Sequence, residues 1–289
     1  MIEPAALLED CTFAVVDVET TGLNPAAGDR VCEIAVLRGR LGAPPEPWST
    51  LVYPERPIPR DAQRVNHISD AMVRRAPLFA AVAGELLARL EGAVVVAHFA
   101  AFDLGFLRHE LGLLDLPAAC LPALVVDTCR LARRAYTFPN NSLGYLGARL
   151  GVLDANPAHR ALADVLTTWN LLGWFVQDLR ARTVGRAPRT LGDLLALQGP
   201  LDTSPRTAFG SGAPADPAEI PPLFARAIAT GSILMARYVA ADGRVSERRI
   251  SPRAVRRERE ALYVVAYCHL RQEERTFRLD RLEVLGVEE

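Results

Sequence analysis

The hydrophobic positions in the first part of the chain form short runs that are typical of buried strands. Residues 13–18 form a short, mainly apolar run with several β-branched residues that ends in acidic side chains, and residues 31–37 and 48–52 form two further runs. The segment Gly22-Leu23-Asn24-Pro25 between the first two runs has the composition of a turn. The pattern therefore predicts a strand, a loop and two more strands.

After the third strand the apolar positions follow helical spacing. They recur with that spacing between residues 71 and 90, and a fully apolar run follows at residues 93–97. The alternation continues with a strand-like run at residues 123–126 and helical patterns at 104–111, 128–136, 143–150 and 160–179. Strands that alternate with helices indicate an α/β fold in which helices cover both faces of the sheet.

The composition and the spacing of apolar residues change after about residue 182, which divides the chain into two domains. Residues 188–222 hold seven prolines and four glycines, which mark a linker with room for one short helix at residues 191–197. Beyond it, strand-like runs are separated by turn pairs such as Asp242-Gly243 and Ser251-Pro252. We expect an α/β domain at residues 1–182, a linker at 183–222 and a small β-rich domain at 223–289.

Composition narrows the class of protein. Half of the 289 residues are apolar and 23% are charged, a balance that fits a globular chain and excludes a disordered one. No apolar stretch approaches the ~20 residues of a membrane span, and the N-terminus lacks the basic segment of an export signal. The five cysteines are scattered without a Cys-x-x-Cys pair, which argues against a disulfide framework or a thiolate zinc site. We expect a cytoplasmic protein that has no membrane partner.

Charge gives little guidance about partners. The net charge is −1, so there is no global attraction to a polyanion such as nucleic acid. The chain contains no lysine, and every cation is an arginine. Guanidinium groups suit bidentate contacts with phosphate, but this usage equally fits the base composition of the genome.

Four acidic residues stand where the pattern predicts buried surroundings. Asp17 and Glu19 are two residues apart at the end of the first strand, so their side chains share a face and repel each other unless a cation lies between them. Asp103 follows the buried run at residues 93–97, and Asp164 lies on an otherwise apolar helix. Together these side chains would form an oxygen-rich site for a hard divalent ion, Mg²⁺ or Mn²⁺.

His159 precedes Asp164 by five residues. That spacing turns a helix by about 500°, so the two side chains do not share one helical face, and His159 belongs to a loop or a first turn. Pro157 just before it supports this placement. A histidine beside an activated water is suited to act as a general base, since its ordinary pKa is near 6.5.

Taken alone, each of these residues more often has a structural role. An acid at a strand end or on a helix is commonly solvated, Asp103 could be a helix N-cap, and His159 could be a surface residue. Asp127-Thr128 also has the composition of an active-site pair, but we favour a helix cap for it. Only the combination of motifs, in their order along the chain, favours a catalytic site.

That order is Val16-Asp17-Val18-Glu19-Thr20-Thr21-Gly22-Leu23, then residues 65–69, 97–107, 127–128, 141–143 and 159–164. It resembles the DnaQ-like 3′→5′ exonucleases of the DEDDh class, the family of the proofreading subunit of bacterial replicative polymerases. The resemblance covers residues 10 to 180. It implies an RNase H-like fold, in which helices flank a mixed sheet.

The resemblance also implies a reaction, the hydrolysis of a 3′-terminal phosphodiester with two metal ions about 4 Å apart. The four acids would hold the ions, with Asp17 bridging both, and His159 would be the general base. The candidates to contact the terminal nucleotide are Thr20, Thr21, Leu23, Asn66, His67 and Phe99. The family commonly has asparagine where this chain has Phe99, which puts a local hydrogen bond or a substrate contact in question.

The β-rich domain contains an Arg-x-Phe-Arg-x-Asp-Arg run at residues 275–281 and the triplet Leu262-Tyr263-Val264. With the strand and turn pattern around them, these resemble the WYL domain, a small Sm-like β-barrel found in bacterial regulators and nucleic-acid enzymes. Arginines and aromatic rings on such strands could bind phosphates and bases. The alternative is that the rings form the core and the arginines pair with nearby acids. The candidate contacts are Tyr263, Arg275, Arg278 and Arg281.

These observations predict a metal-dependent 3′→5′ exonuclease that releases nucleoside monophosphates, with single-stranded DNA as the expected substrate and RNA as the open alternative. The expected partners are single-stranded 3′ ends and, among proteins, a DNA polymerase or another repair protein. A non-catalytic regulator is the alternative function, in which the WYL-like domain senses nucleic acid or nucleotides. The complete set of motif residues favours the enzyme.

Overall fold

The computed structural model describes residues 2–154, 160–182, 187–201, 213–239, 245–258, 261–270 and 273–288. The chain divides into two compact units, Met1–Pro205 and Arg206–Glu289. Each unit has hydrophobic clusters of its own, which is the property expected of a domain.

A five-stranded mixed sheet forms the centre of the first unit. Its strands are β1 (Phe13–Thr20), β2 (Val31–Gly39), β3 (Glu46–Leu51), β4 (Val94–Ala97) and β5 (Val125–Asp127). They lie in the order β3-β2-β1-β4-β5, with antiparallel pairs between β1, β2 and β3 and parallel pairs between β1, β4 and β5. The carboxyl ends of β1, β4 and β5 therefore meet at one edge of the sheet.

The helices of the first unit are α1 (Arg60–Asn66), α2 (Asp70–Val73), α3 (Phe79–Leu90), α4 (Ala100–Gly112), α5 (Thr128–Ala135), α6 (Leu143–Leu150), α7 (Ala161–Arg182) and α8 (Leu191–Gln198). Apolar residues of α3 and α4 pack with Ala14 and Val16 of β1, and those of α5 to α8 pack with Phe13 and Val15. Helices therefore cover both faces of the sheet, which confirms the predicted α/β architecture. Because side chains alternate along a strand, the odd-numbered positions of β1 face α7.

The predicted helix at residues 71–90 is two helices, α2 and α3. Pro77 lies between them, and Leu78 has an extended backbone at the N-cap of α3. Proline cannot donate the backbone hydrogen bond of a helix interior, and it pushes the residue before it towards an extended conformation. The apolar spacing continues across this break, so periodicity alone did not reveal it.

The first unit extends beyond residue 182, where the sequence pattern predicts the start of a linker. Leu191 and Leu194 of α8 are fully buried in the core of the first unit, and Leu8 donates a backbone hydrogen bond to Arg189 O at 2.9 Å. Ala215 and Phe224, in turn, are buried in the core of the second unit. The segment between the two units is rich in proline and glycine, as the sequence shows. Its apolar residues nevertheless pack into the two hydrophobic cores, Leu191 and Leu194 into the first and Ala215 into the second.

An antiparallel sheet forms the second unit, together with the helix α9 (Pro222–Thr230). Its strands are β6 (Ala213–Pro214), β7 (Ile233–Val239), β8 (Val245–Glu258), β9 (Ala261–Cys268), β10 (Glu273–Arg278) and β11 (Leu282–Glu288). They are ordered β10-β9-β8-β7-β11, and β6 pairs with β8. Within the described residues these pairings form an open path, so closure into an Sm-like barrel stays a prediction.

In the part of the chain that the structure describes, no helix has both the length and the apolar character needed to cross a bilayer.

Candidate metal centre

Three carboxylates converge at the end of the central strand. Asp17 and Glu19 project from the face of β1 that is covered by α7, and Asp164 lies in the first turn of that helix. One carboxylate oxygen from each of the three residues lies within 4.8 Å of the other two, and all three residues are partly buried. The structure thus brings together residues that are separated by 145 positions in the sequence.

Asp103 lies outside this set of three but is bonded to the same strand. It lies in the first turn of α4, is 3% exposed, and its Oδ1 accepts a hydrogen bond from Val18 N at 3.1 Å. Val18 stands between Asp17 and Glu19, so the contact ties Asp103 to the strand segment that holds the other acids. Asp103 is not the N-cap of α4, because Phe99 occupies that position.

The electrostatics of the group favour a bound cation. Burial, followed by the charges of the neighbouring acids, raises the pKa of Asp17 and of Glu19 well above the usual range. Burial also raises the pKa of Asp103 to about 8, although the hydrogen bond from Val18 acts in the opposite direction. A divalent ion relieves such repulsion, and the four side chains offer it only oxygen ligands.

A fifth acid, Glu33, was not identified from the sequence. It lies directly opposite Glu19 in the β1–β2 register and is 4% exposed. Its carboxylate accepts hydrogen bonds from Arg160 Nε at 3.0 Å, from Arg160 Nη2 at 2.6 Å and from Ala161 N at 3.0 Å. The available signal was that Glu33 is the one charged residue in the apolar run at residues 31–37.

His159, the predicted general base, lies outside the described residues. The described chain resumes at Arg160, which is adjacent to it in sequence. Its role therefore stays a prediction that rests on its place in the motif.

The loop after β1 is held by internal hydrogen bonds. Thr20 Oγ1 donates to Gly22 O at 2.5 Å, and Thr21 Oγ1 accepts from Arg30 N at 3.0 Å. Both threonines are buried, and a Cβ at position 22 would overlap the Asp29 carboxylate. Leu23 is partly exposed. Of the three predicted contact residues in this loop, Leu23 has the most accessible side chain.

Asn66, one of the predicted substrate contacts, is engaged inside the protein. Its side chain is 2% exposed, donates to Thr20 O at 3.2 Å and accepts from Ile68 N at 3.0 Å. Both ends of the amide are therefore occupied inside the protein. The next residue, His67, is exposed and has a left-handed backbone with φ of 58°.

The backbone at Phe99 explains why asparagine suits this position. Phe99 has φ of 80° and ψ of 54°, the left-handed region that asparagine tolerates better than bulky residues do. Its backbone N–H donates to Asp127 Oδ1 at 3.3 Å. This residue therefore keeps a turn that its side chain does not favour, and the Phe99 ring is partly exposed.

Asp127 is a helix cap, as predicted. Its side chain accepts hydrogen bonds from Arg130 N at 3.0 Å and from Ala100 N at 3.1 Å, in addition to the contact with Phe99. One buried carboxylate thus caps the starts of both α4 and α5.

The candidate contacts in the second unit do not share one face. Arg278 lies opposite Tyr263 in the β9–β10 register, and Arg278 Nε pairs with Asp280 Oδ1 at 2.9 Å. Phe277 lies opposite Val264, and both are buried in the core. Arg275 lies on the same face of β10 as Phe277, opposite to the face of Arg278. Arg281 lies in the turn before β11. Phe277 is therefore a core residue, as the alternative reading expected, whereas Tyr263 and Arg278 form a pair on the opposite face.

Two family models match the chain. The model described as exonuclease covers residues 14–172, and the model of the WYL domain covers residues 220–287. The first match contains the four clustered acids and His159.

Curated relatives match the first unit. A DNA polymerase III subunit epsilon-like protein of Rhodobacter capsulatus is 40% identical over 61% of this chain and 25% of its own length. DNA polymerase III subunit epsilon of Treponema pallidum is 37% identical over 55% of this chain and 74% of its own length. The chain thus spans most of the second relative but only a quarter of the first.

A solved structure of exonuclease I is 18% identical, with a TM-score of 0.56, over 89% of this chain and 55% of that chain. At this identity the likeness is evidence for the fold alone.

Proposed function

We propose the following function for this chain, which belongs to the exonuclease family and has a WYL domain after its exonuclease domain. The first unit removes nucleotides one at a time from the 3′ end of single-stranded DNA in a metal-dependent hydrolysis. The observation that carries this proposal is the convergence of the Asp17, Glu19 and Asp164 carboxylates within 4.8 Å, beside the buried Asp103.

The proposed reaction is hydrolysis of the last phosphodiester. A water molecule attacks phosphorus, the bond from phosphorus to the 3′-oxygen of the preceding nucleotide breaks, and a nucleoside 5′-monophosphate leaves. The four acids would hold two Mg²⁺ or Mn²⁺ ions, which when bound supply Lewis-acid activation of water and stabilise charge on the departing oxygen. His159 is the proposed group that accepts the proton of the attacking water.

The residues around the loop after β1 would position the terminal nucleotide. Leu23, His67 and Phe99 have accessible surface there and are the proposed contacts. Thr20 and Thr21 would act mainly by fixing the loop, since their hydroxyl groups bond within it. Asn66 supports the same loop through its hydrogen bond to Thr20 O.

DNA is the substrate we favour over RNA because two relatives carry names of a DNA polymerase III subunit. The same names support a DNA polymerase or another repair protein as the protein partner. In the second unit, Tyr263 and Arg278 would contact single-stranded nucleic acid, with Arg275 and Arg281 as further phosphate contacts. We favour the enzyme over a non-catalytic regulator because a regulator has no need for converging buried carboxylates.

Cleavage of matched DNA and RNA oligonucleotides with free, blunt and mismatched 3′ ends tests this proposal. Each substrate is incubated with Mg²⁺, Mn²⁺ or EDTA, and the Asp164→Asn variant serves as the inactive control. The expected result is metal-dependent release of mononucleotides, fastest from free single-stranded DNA. Failure of the wild-type protein to degrade any of these substrates with either metal would refute the proposal.

A further inference from the structure

The Arg160–Glu33 ion pair connects the metal centre to the start of α7. Arg160 holds the Glu33 carboxylate through two nitrogen atoms, Nε at 3.0 Å and Nη2 at 2.6 Å. The Ala161 N–H donates to the same carboxylate, so the first residue of α7 is bonded directly to β2. Charge-assisted bidentate pairs of this kind are among the strongest and most directional hydrogen bonds in proteins.

The Arg160–Glu33 pair lies one helical turn before Asp164, one of the three clustered acids. Asp164 N donates to Arg160 O at 3.1 Å, which is the first intrahelical bond of α7. The distance between Asp164 and the acids of β1 is therefore set by where Arg160 is held.

The register between β1 and β2 explains why the Arg160–Glu33 pair forms beside the clustered acids. Residues directly opposite each other on an antiparallel pair share a face, so Glu33 projects on the side of Glu19, next to the clustered carboxylates. Glu33 is nevertheless fully engaged by Arg160 and by the α7 backbone. The Glu33 carboxylate therefore binds the start of α7 and not a cation.

We propose that the Arg160–Glu33 pair positions Asp164 for the reaction, without itself contacting metal or substrate. The inference rests on the proposed function, in which the clustered acids bind divalent ions. Residues that orient metal ligands typically change metal affinity or activity by about 10- to 100-fold when they are replaced.

A double-mutant cycle tests the proposal. The variants are Glu33→Gln, Arg160→Gln and the double variant, and the matched control is Arg180→Gln on the same helix. Arg180 has the same side-chain exposure as Arg160, 34%, and pairs with Glu9 at 2.7 Å. It follows Asp164 by 16 residues on α7, a rise of about 24 Å along the helix. The readouts are Mn²⁺ affinity by electron paramagnetic resonance, kcat and KM on a single-stranded oligonucleotide, and the melting temperature.

The expected result is a loss of about 10- to 100-fold in Mn²⁺ affinity or kcat for each single variant, with KM within about threefold of wild type. The double variant should be no worse than the poorer single variant, because both replacements break the same contact. Arg160→Lys, which keeps the charge but loses the two-point contact, should fall between wild type and Arg160→Gln. The control should match wild type.

Three outcomes would overturn the inference. Changes in melting temperature alone, with Mn²⁺ affinity and kcat unchanged, would assign the pair a purely structural role. A rise in KM for Arg160→Gln that adds to the effect of Glu33→Gln would make Arg160 a substrate contact. Equal losses in the Arg180 control would show a general effect of loosening α7. The Mn²⁺ measurement remains decisive for the pair even if wild-type protein degrades no substrate, an outcome that would refute the proposed function instead.

Discussion

The side chain of Gln198 closes the free edge of the sheet beside Asp127. Its Oε1 accepts a hydrogen bond from Asp127 N, and its Nε2 donates to Val125 O, both at 2.8 Å. The amide occupies the donor and the acceptor that a further strand would use next to β5. Because Asp127 also caps α4, which carries Asp103, the end of α8 is linked through one residue to the metal centre.

Replacing Gln198 by leucine should destabilise the first unit. Gln198 is 2% exposed, and the change leaves two backbone groups without their partner. We expect a loss of about 2 to 6 kcal/mol in the free energy of unfolding, since each buried unsatisfied group costs about 1 to 3 kcal/mol. Chemical denaturation followed by circular dichroism measures it. Gln177→Leu, at an exposed position of α7, is the control, and equal values for the two variants would show that the edge contact contributes nothing.

Asp17→Asn should abolish cleavage and stabilise the metal-free protein. The variant removes one metal ligand. We expect the rate to fall by at least about 10³-fold, because bound metal lowers the activation barrier by several kcal/mol. It also removes one of several repelling charges, so the free energy of unfolding in EDTA at pH 8 should rise by about 1 kcal/mol or more, the equivalent of one pKa unit. Asp10→Asn at the exposed surface should do neither. Lower stability of Asp17→Asn in EDTA would contradict the repulsion that we assign to the cluster.

Asp103 should make the metal-free protein less stable as the pH rises. Its pKa is raised to about 8 in the folded protein by burial, against about 3.9 when unfolded, so the folded state binds more protons between these values. The stabilisation is fully present below about pH 4 and is lost as the pH rises through about 8, at up to about 1.4 kcal/mol per pH unit. Denaturation in EDTA from pH 5.5 to 8.5, compared with Asp103→Asn, isolates this contribution. An identical slope in the two proteins would show that Asp103 ionises normally.

The arginines of the second unit should contribute to the salt dependence of binding. If Arg278 and Arg281 contact phosphates, replacing both by glutamine should reduce the slope of log affinity against log salt by about 1.4 for single strands, about 0.7 for each contact. Fluorescence anisotropy with a long labelled oligonucleotide measures this slope. Arg237→Gln is the control, because Arg237 lies on β7, outside the proposed contacts. An unchanged slope in the double variant would remove these arginines from the interface.

The parts of the fold that the sequence predicted well are those with a local signal. The first strand and helix α6 follow from the apolar runs, and the clustered acids follow from motifs in a fixed order. The contacts that position the acids have no such signal, because they join distant parts of the chain. Asn66 and Thr20 are 46 residues apart, Gln198 and Asp127 are 71 apart, and Arg160 and Glu33 are 127 apart.

At two places the structure shows buried contacts that the sequence pattern did not indicate. Asn66 stood in a family motif and was assigned to the substrate, whereas its burial makes it a support for the loop after β1. The end of the first unit was placed at residue 182 because proline and glycine dominate the following segment. Leu191 and Leu194 nevertheless find the core, and a few buried contacts are enough to extend a domain.

The direction and metal dependence of cleavage distinguish a metal-dependent 3′→5′ exonuclease from other activities. A single-stranded DNA labelled at its 5′ end is incubated with wild-type protein and with Asp17→Asn, with Mg²⁺ or Mn²⁺ and with EDTA. We expect a ladder that shortens from the 3′ end one nucleotide at a time, only with wild-type protein and added metal. Immediate release of the 5′ label as a mononucleotide, or an undiminished ladder with Asp17→Asn or in EDTA, would contradict it.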